Sequence, residues 1–220
     1  MNGDAALNLI MSRLGGRTDA TLRANALIEM QLAQDFFTQK MAFMPWFLQV
    51  DYTDAAFLTV AAQEYVALPS DFLRLDDDWG ALYYQNTDRA EVDQWQAIRK
   101  STYSIFKDKY FDGESTDPSL FDIVGSRLYL RPIPSTARAL RMLYYKKDTS
   151  PTDTAATNLW LTHAPNWLIG EAGAVVAGLH VKDMEAAEFF AVLAKQAKDF
   201  LATETVARRV TGQSYAMGDS

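Results

Sequence analysis

The period of the apolar pattern changes twice along this chain, and that change most limits what it can fold into. Near the N-terminus apolar residues recur at three- and four-residue spacing, first Leu7, Ile10, Met11 and Leu14, then Leu22, Ala26, Met30, Ala33, Phe37 and Met41. That is the pattern of helices with a buried stripe. From about residue 52 to 147, short runs rich in Val, Tyr, Phe and Leu are broken by Pro, Gly and Asp, as strands are broken by turns. The helical period then returns as far as about residue 207. Two helical ends around a strand-rich centre most economically form one helical bundle with a β module inserted between its halves. The expected fold class is α+β, with N-terminal bundle helices in 1–50, a β-rich insertion over 51–148, a C-terminal helix pair over 149–207 and a flexible tail over 208–220.

Local signals refine this outline. Asn2 or Asp4 can cap a first short helix that Gly15-Gly16 stops, and Thr18 or Asp19 can cap a second over 19–43, which Pro45 cannot extend. Residues 56–60, 64–68 and 81–85 read as strands. FDIVGSRLYLRP (121–132) reads as a hairpin in which Gly125 supplies the positive φ that opens a type II′ turn, and 139–147 reads as its neighbouring strand. RAEVDQWQAIR (89–99) is the one helical-looking interruption, with Val92, Trp95 and Ile98 on one side. After a polar stretch at 148–158, Pro165 opens a helix dense in Gly and Ala. A second helix over 184–207 carries Ala186, Phe189, Phe190, Leu193, Ala197, Phe200 and Leu201 on one stripe.

Composition removes whole classes of function. The chain has 220 residues, 27 of them aromatic, enough to bury a real core. No apolar run approaches the roughly 20 residues of a membrane-spanning helix, and MNGDAALNLI lacks a signal peptide's basic flank. A soluble chain with no membrane contact is expected. The absence of cysteine excludes disulfides, thiolate nucleophiles and Cys-ligated metals, and suits a reducing cytoplasm. Neither His163 nor His180 sits in a catalytic or metal motif, and there is no HExxH, GxxxxGK[ST] or GxGxxG. No cofactor or metal is expected. Paired carboxylates of a glycan hydrolase stay open, because their geometry is set in space.

The net charge of −7 disfavours a dedicated nucleic-acid binder. Its distribution is more telling: 61–120 carry 12 acidic and 6 basic residues, whereas 121–180 carry 4 and 6. Arg127, Arg131 and Arg141 accompany tyrosines in the basic stretch, and Asp76, Asp77 and Asp78 cluster in the acidic one. Two readings stand. The basic residues can be the solvated face of a sheet, where every second side chain points outward. Alternatively, acidic and basic surfaces of neighbouring copies meet in a head-to-tail interface that closes a ring. Trp160, in a loop-like section, is the aromatic candidate for an intersubunit anchor.

EYVALPSDFLRL (64–75), the hairpin end LYLRPIPS (128–135), LRMLYYKK (140–147), a Thr/Asp-rich linker, NLWL (158–161) and an Ala/Gly-rich helix pair follow one another here. In this order they resemble the head-to-tail adaptor proteins of tailed bacteriophages. The resemblance implies a non-enzymatic virion protein at the neck, assembled in the host cytoplasm into a ring commonly of twelve copies. Its partners would be the portal above and a tail or nozzle protein below, with genomic DNA passing the lumen without sequence-specific binding. It also implies that the C-terminal segment reaches the portal, which makes Arg208, Arg209 and Tyr215 the portal-contact candidates. Within LPSDF, Pro69 fixes φ, Ser70 and Asp71 can bond their own backbone, and Leu68 and Phe72 can anchor a structural corner. The competing readings are a virion-associated peptidoglycan hydrolase using paired carboxylates and a non-viral α+β binding module.

Overall fold

A computed structural model describes residues 1–40, 43–76, 81–87, 94–102, 114–115 and 117–210. The protein is α+β, with helices at both ends and a β module between them. It divides into two compact units, one formed by Met1–Leu48 with residues 147–210, the other by Gln49–Lys146.

The first unit is helical. Helix α1 (Gly3–Arg13) begins at Asn2, whose side chain accepts from Ala5 N at 2.8 Å, and ends where Gly15 and Gly16 take positive φ. Helix α2 (Ala20–Lys40) is capped by Asp19, which accepts from Thr21 N at 2.8 Å, and buries Leu22, Ala26, Met30 and Phe37. The last residues of the expected helix, Met41 and Ala42, lie outside the described residues. A 3₁₀ turn (Trp46–Leu48) closes this half.

On the C-terminal side, α3 (Leu159–His163) is capped by Asn158, α4 (Pro165–Val175) starts at its proline, and a π-helical turn (Val176–Val181) ends with Lys182 in the left-handed region. Helix α5 (Met184–Val210) follows, with Asp183 accepting from Ala186 N at 3.0 Å. This last helix runs beyond the expected 207, so Arg208 and Arg209 are helical residues and not part of a tail.

Helix α4 packs on both α2 and α5. A Cβ at Gly170 would lie 2.6 Å from Ala194 N, and one at Gly173 would lie 2.5 Å from the Phe190 ring. Gly170 and Gly173, among the small residues of this helix, are thus sites of close helix approach.

The linker 148–158 is tied to α2 by buried polar groups. Gln34 Nε2 donates to the Thr149 carbonyl at 3.1 Å, and Asn158 Nδ2 donates to Gln34 Oε1 at 3.0 Å and to Thr149 O at 2.8 Å. Asp148 accepts from Leu159 N at 2.7 Å.

The second unit is built from short strands. Its main sheet is antiparallel and centres on β11 (Leu140–Lys146). Along one edge of β11 runs β1 (Gln49–Tyr52). Along the other lie β4 (Leu82–Gln85) and β3 (Phe72–Leu75), and β4 in turn pairs β5 (Trp95–Ala97). A second sheet has the order β2 (Tyr65–Ala67), β9 (Arg127–Arg131), β8 (Leu120–Val124), β6 (Arg99–Lys100). A parallel pair, β7 (Glu114–Ser115) and β10 (Ile133–Pro134), completes the described strands. The hairpin turns where expected: Gly125 has φ +62° while Ser126 keeps a negative φ, as a type II′ turn requires.

Two expectations fail here. Residues 89–99 are not a helix through their described part. Trp95–Ala97 pairs β4, with Tyr83 opposite Ala97, and Arg99–Lys100 runs parallel to β8. Ile98 between them is buried in the module's core. An open sheet edge supplied backbone partners that outweighed a short three-residue spacing. Residues 56–60 form only an isolated bridge, Leu58 to Ala139, held by the backbone bonds from Thr59 N to Arg138 O and from Leu140 N to Phe57 O, each 2.9 Å.

The close approach of α4 and α5 generates a paired prediction. Gly170→Ala drives a methyl into backbone that cannot yield and should cost about 1–3 kcal/mol of stability, in the range of overpacked cores. Gly178→Ala, whose Cβ would meet only Ala187 Cβ at 3.7 Å, should be neutral or stabilising. Denaturant unfolding of both variants checks the contrast.

Candidate functional site

A residue can contact another molecule only where it reaches the surface, and the expected contact residues differ in this. Asp76 does not: it is 1% exposed, and its carboxylate accepts from Gln49 Nε2 and from the Tyr145 hydroxyl. Asp77 and Asp78 lie outside the described residues.

The basic stretch is largely matched inside its own unit. Arg141 grips Asp51 with two hydrogen bonds, at 2.8 and 2.6 Å, the bidentate fork that guanidinium geometry favours. Arg131 pairs with Glu64 across β9 and the start of β2. Arg127 is exposed at the hairpin and lies 4.3 Å from the Tyr65 ring centroid. For Arg131 and Arg141 the expected intersubunit role gives way to intramolecular ion pairs. The charge asymmetry of the sequence is partly spent within the module that carries it.

Trp160 is corrected in the same way. It is fully buried, with its ring centroid 5.0 Å from Phe37, 5.2 Å from Phe47 and 5.0 Å from Trp167. It anchors the helical core of its own chain. The loop-like composition before it concealed the Asn158 cap that starts α3 and turns the tryptophan inward.

Arg208 is placed rather than loose. Its guanidinium sits 3.7 Å from the centroid of Trp46 and bonds Glu204 one turn earlier at 2.8 Å, which seats the end of α5 on the 3₁₀ turn. Arg209 is half-buried beside it. Tyr215 lies outside the described residues. His163 stacks on Phe47 at 5.2 Å and meets Trp46 edge-on at 4.9 Å. Part of its ring reaches solvent, yet burial of the rest, with Arg208 nearby, holds its pKa below the usual histidine value. His180 bonds the Asn25 side chain at 3.3 Å.

The LPSDF corner acts as a joint within the β module. Phe72 N donates to Pro69 O at 3.0 Å, closing the turn. Asp71, expected to bond its own backbone, instead accepts from the Tyr144 hydroxyl at 2.7 Å, and the Phe72 ring lies 5.6 Å from that of Tyr144. Burial, and after it the hydrogen bond to Asp71 and that carboxylate's charge, push the Tyr144 phenol well above its ordinary value.

Among the residues that face outward on the helical unit are several large apolar ones. On α2, Ile28, Leu32 and Phe36 are 50–60% exposed on the side opposite its buried stripe. Beside them a groove of about 210 Å³ is lined by Leu32, Ala33, Phe36, Trp167 and Val175, with Glu29 and Glu171 as its charged members. On α5, Phe189, Val192 and Phe200 are exposed to a similar or greater degree. The sequence carried a signal for the first of these: α2 has apolar residues at four-residue spacing in two registers, and only one register can face its own core.

Among the described residues no group of three His, Cys, Asp or Glu side chains is placed to hold a metal ion. Among the same residues no helix is long and apolar enough to cross a membrane. The chain belongs to the SU10 adaptor protein family, whose model matches residues 1–215. It is therefore a structural protein of the bacteriophage adaptor class. No curated protein matches it.

Two measurements test these placements. Trp160→Ala should cost about 3–5 kcal/mol in denaturant unfolding, the range for a buried aromatic, whereas loss of a surface anchor would leave stability unchanged. The raised Tyr144 pKa means that the folded state keeps its proton while the unfolded chain ionises near pH 10. Its stabilisation is complete below that pH and is lost as pH rises above it. Tyr144→Phe should flatten the decline of stability above pH 10, read from unfolding midpoints at successive alkaline pH values.

Proposed function

We propose that this protein closes into a ring in the neck of a tailed bacteriophage, joining the portal to the next tail component. The observation that carries the reading is the family match over nearly the whole chain, set on a helical unit that exposes Ile28, Leu32, Phe36, Phe189, Val192 and Phe200. Such faces are covered in an assembly. The resemblance in the motif order supplies the copy number, commonly twelve, and the path of genomic DNA through the lumen. A net charge of −7 suits passage of a polyanion without adhesion.

The segment after α5 is the portal-docking element in this reading. The seat of Arg208 on Trp46 sharpens where it begins: docking falls to residues 211–220 with Tyr215, while Arg208 and Arg209 hold the helix end from which the segment departs.

A truncation after Val210 tests this directly. The shortened protein should keep the unfolding midpoint of the full chain and fail to join DNA-filled heads in an attachment assay with purified portal-bearing capsids. Normal attachment would reject the docking role. Counting copies of the full chain in purified particles by quantitative mass spectrometry tests the ring, which a single copy per particle would exclude.

A further inference from the structure

We propose that Asn2-Gly3 is a site of spontaneous covalent modification, deamidation to aspartate or isoaspartate, and that linker residues 151–157 hold it unreacted in the folded chain.

Of the six asparagines in the sequence, Asn2 alone is followed by glycine; the others precede Leu, Ala, Thr, Leu and Trp. Deamidation begins when the amide nitrogen of the next residue loses its proton and attacks Cγ of the asparagine side chain. A five-membered imide closes and ammonia leaves. Water then opens the imide at either carbonyl, giving aspartate when the main chain is kept and isoaspartate when it is rerouted through the side chain. A following glycine obstructs this least, because no Cβ shields its nitrogen and its backbone turns freely into the attacking geometry.

Two separate features of the fold meet at this pair. Asn2 starts α1 by accepting from Ala5 N at 2.8 Å, and its own carbonyl accepts from Ala6 N at 3.1 Å. Gly3 lies where the linker crosses α1, and a Cβ there would overlap the Thr152 carbonyl oxygen. The crossing excludes any side chain at position 3, so an asparagine cap at position 2 necessarily carries the reactive neighbour.

The same crossing keeps the nucleophile occupied. Gly3 is buried, and its N–H donates to the Ala156 carbonyl at 3.2 Å, while Asp4 N donates to Thr154 O at 3.1 Å. Thr157 Oγ1 donates to the Met1 carbonyl at 2.9 Å, and Gln31 Nε2 holds the linker from α2 through Pro151 O at 2.9 Å. Closing the imide requires the Asn2 side chain to leave Ala5 N and Gly3 N to leave Ala156 O. The reaction therefore passes through a local opening of the linker from α1, and its rate follows the fraction of molecules that are open.

The two products act differently on the fold. Aspartate at position 2 still accepts from Ala5 N, and its charge suits a helix start. Isoaspartate lengthens the main chain before Gly3, which displaces both the cap and the carbonyl that receives Ala6 N, and so unfastens the linker from α1.

The test incubates the full chain at mildly alkaline pH, folded and in guanidinium chloride. Residue 2 is followed by peptide mass mapping, with isoaspartate scored by enzymatic methylation. The expected result is conversion at residue 2 ahead of the other asparagines, slowed about tenfold or more by folding. Thr157→Val and Gln31→Ala, whose native side chains bond Met1 and Pro151, should each speed conversion in the folded chain about two- to tenfold, the range of one lost hydrogen bond. Neither should change the rate in denaturant. Asn2→Asp should keep the unfolding midpoint of the unmodified chain, and the isolated isoaspartate form should fall below it. Equal rates in the folded and denatured chain would overturn the protection. No conversion of residue 2 in denaturant would overturn the site. Unaltered conversion in both linker variants, each with the native circular dichroism spectrum, would overturn the role of the linker.

Discussion

The helical unit is assembled from two lengths of chain separated by an entire β module, and the buried polar contact of Gln34 with Asn158 fixes how those lengths meet. Both side chains are almost completely buried. Each satisfies the other and the backbone of the linker, while Asn158 Oδ1 also accepts from Leu161 N at 2.8 Å to start α3. A buried amide without its partner costs about 1–3 kcal/mol, so this arrangement tolerates one register of linker against α2. The aromatic cluster of Phe37, Phe47, Trp160 and Trp167 is brought together by the same register, since Trp160 lies two residues beyond the cap. Burial supplies the bulk of the stabilisation, and the polar pair specifies which surfaces are buried.

The β module solves a different problem. None of its described strands exceeds seven residues, and strands so short need a common partner. β11 fills that role: it holds β1 on one edge and both β3 and β4 on the other, with a register shift between Tyr145 and Lys146 in its pairing with β3. The Asp71–Tyr144 bond and the Phe72 ring fasten the LPSDF turn to that same strand. The proline, acid and aromatic of the motif therefore serve internal fastening, and the ion pairs of Arg131 and Arg141 serve the same end.

Where the sequence was legible, the cause was local. The caps at Asn2 and Asp19, the glycine stop after α1, the proline start of α4 and the Gly125 turn all depend on neighbours within a few residues, and each is found where the pattern placed it. What stayed hidden depends on distant chain. Trp95 became a strand residue because β4 had an open edge, Trp160 turned inward because Asn158 met Gln34, and Asp76 was buried because Gln49 and Tyr145 were there to receive it. The outward stripe of α2 lay between these cases. Ile28, Leu32 and Phe36 were visible as apolar positions, but only the packing of Leu22, Ala26, Met30 and Phe37 reveals that they are surplus to the chain's own core.

The pairing of β1 with β11 carries a consequence for how such a chain can change over time. The module's first strand begins at Gln49 and its last ends at Lys146, and Gln49 sits directly opposite Tyr145. Directly opposed residues of antiparallel strands lie about 5 Å apart. The chain thus leaves the helices and returns to them through a two-strand stem whose spacing is fixed by its own hydrogen bonds, whatever lies beyond it. Material can be gained, lost or exchanged above that stem without altering the distance the helices must span, so module and bundle are free to diverge at separate rates while the junction between them stays the same.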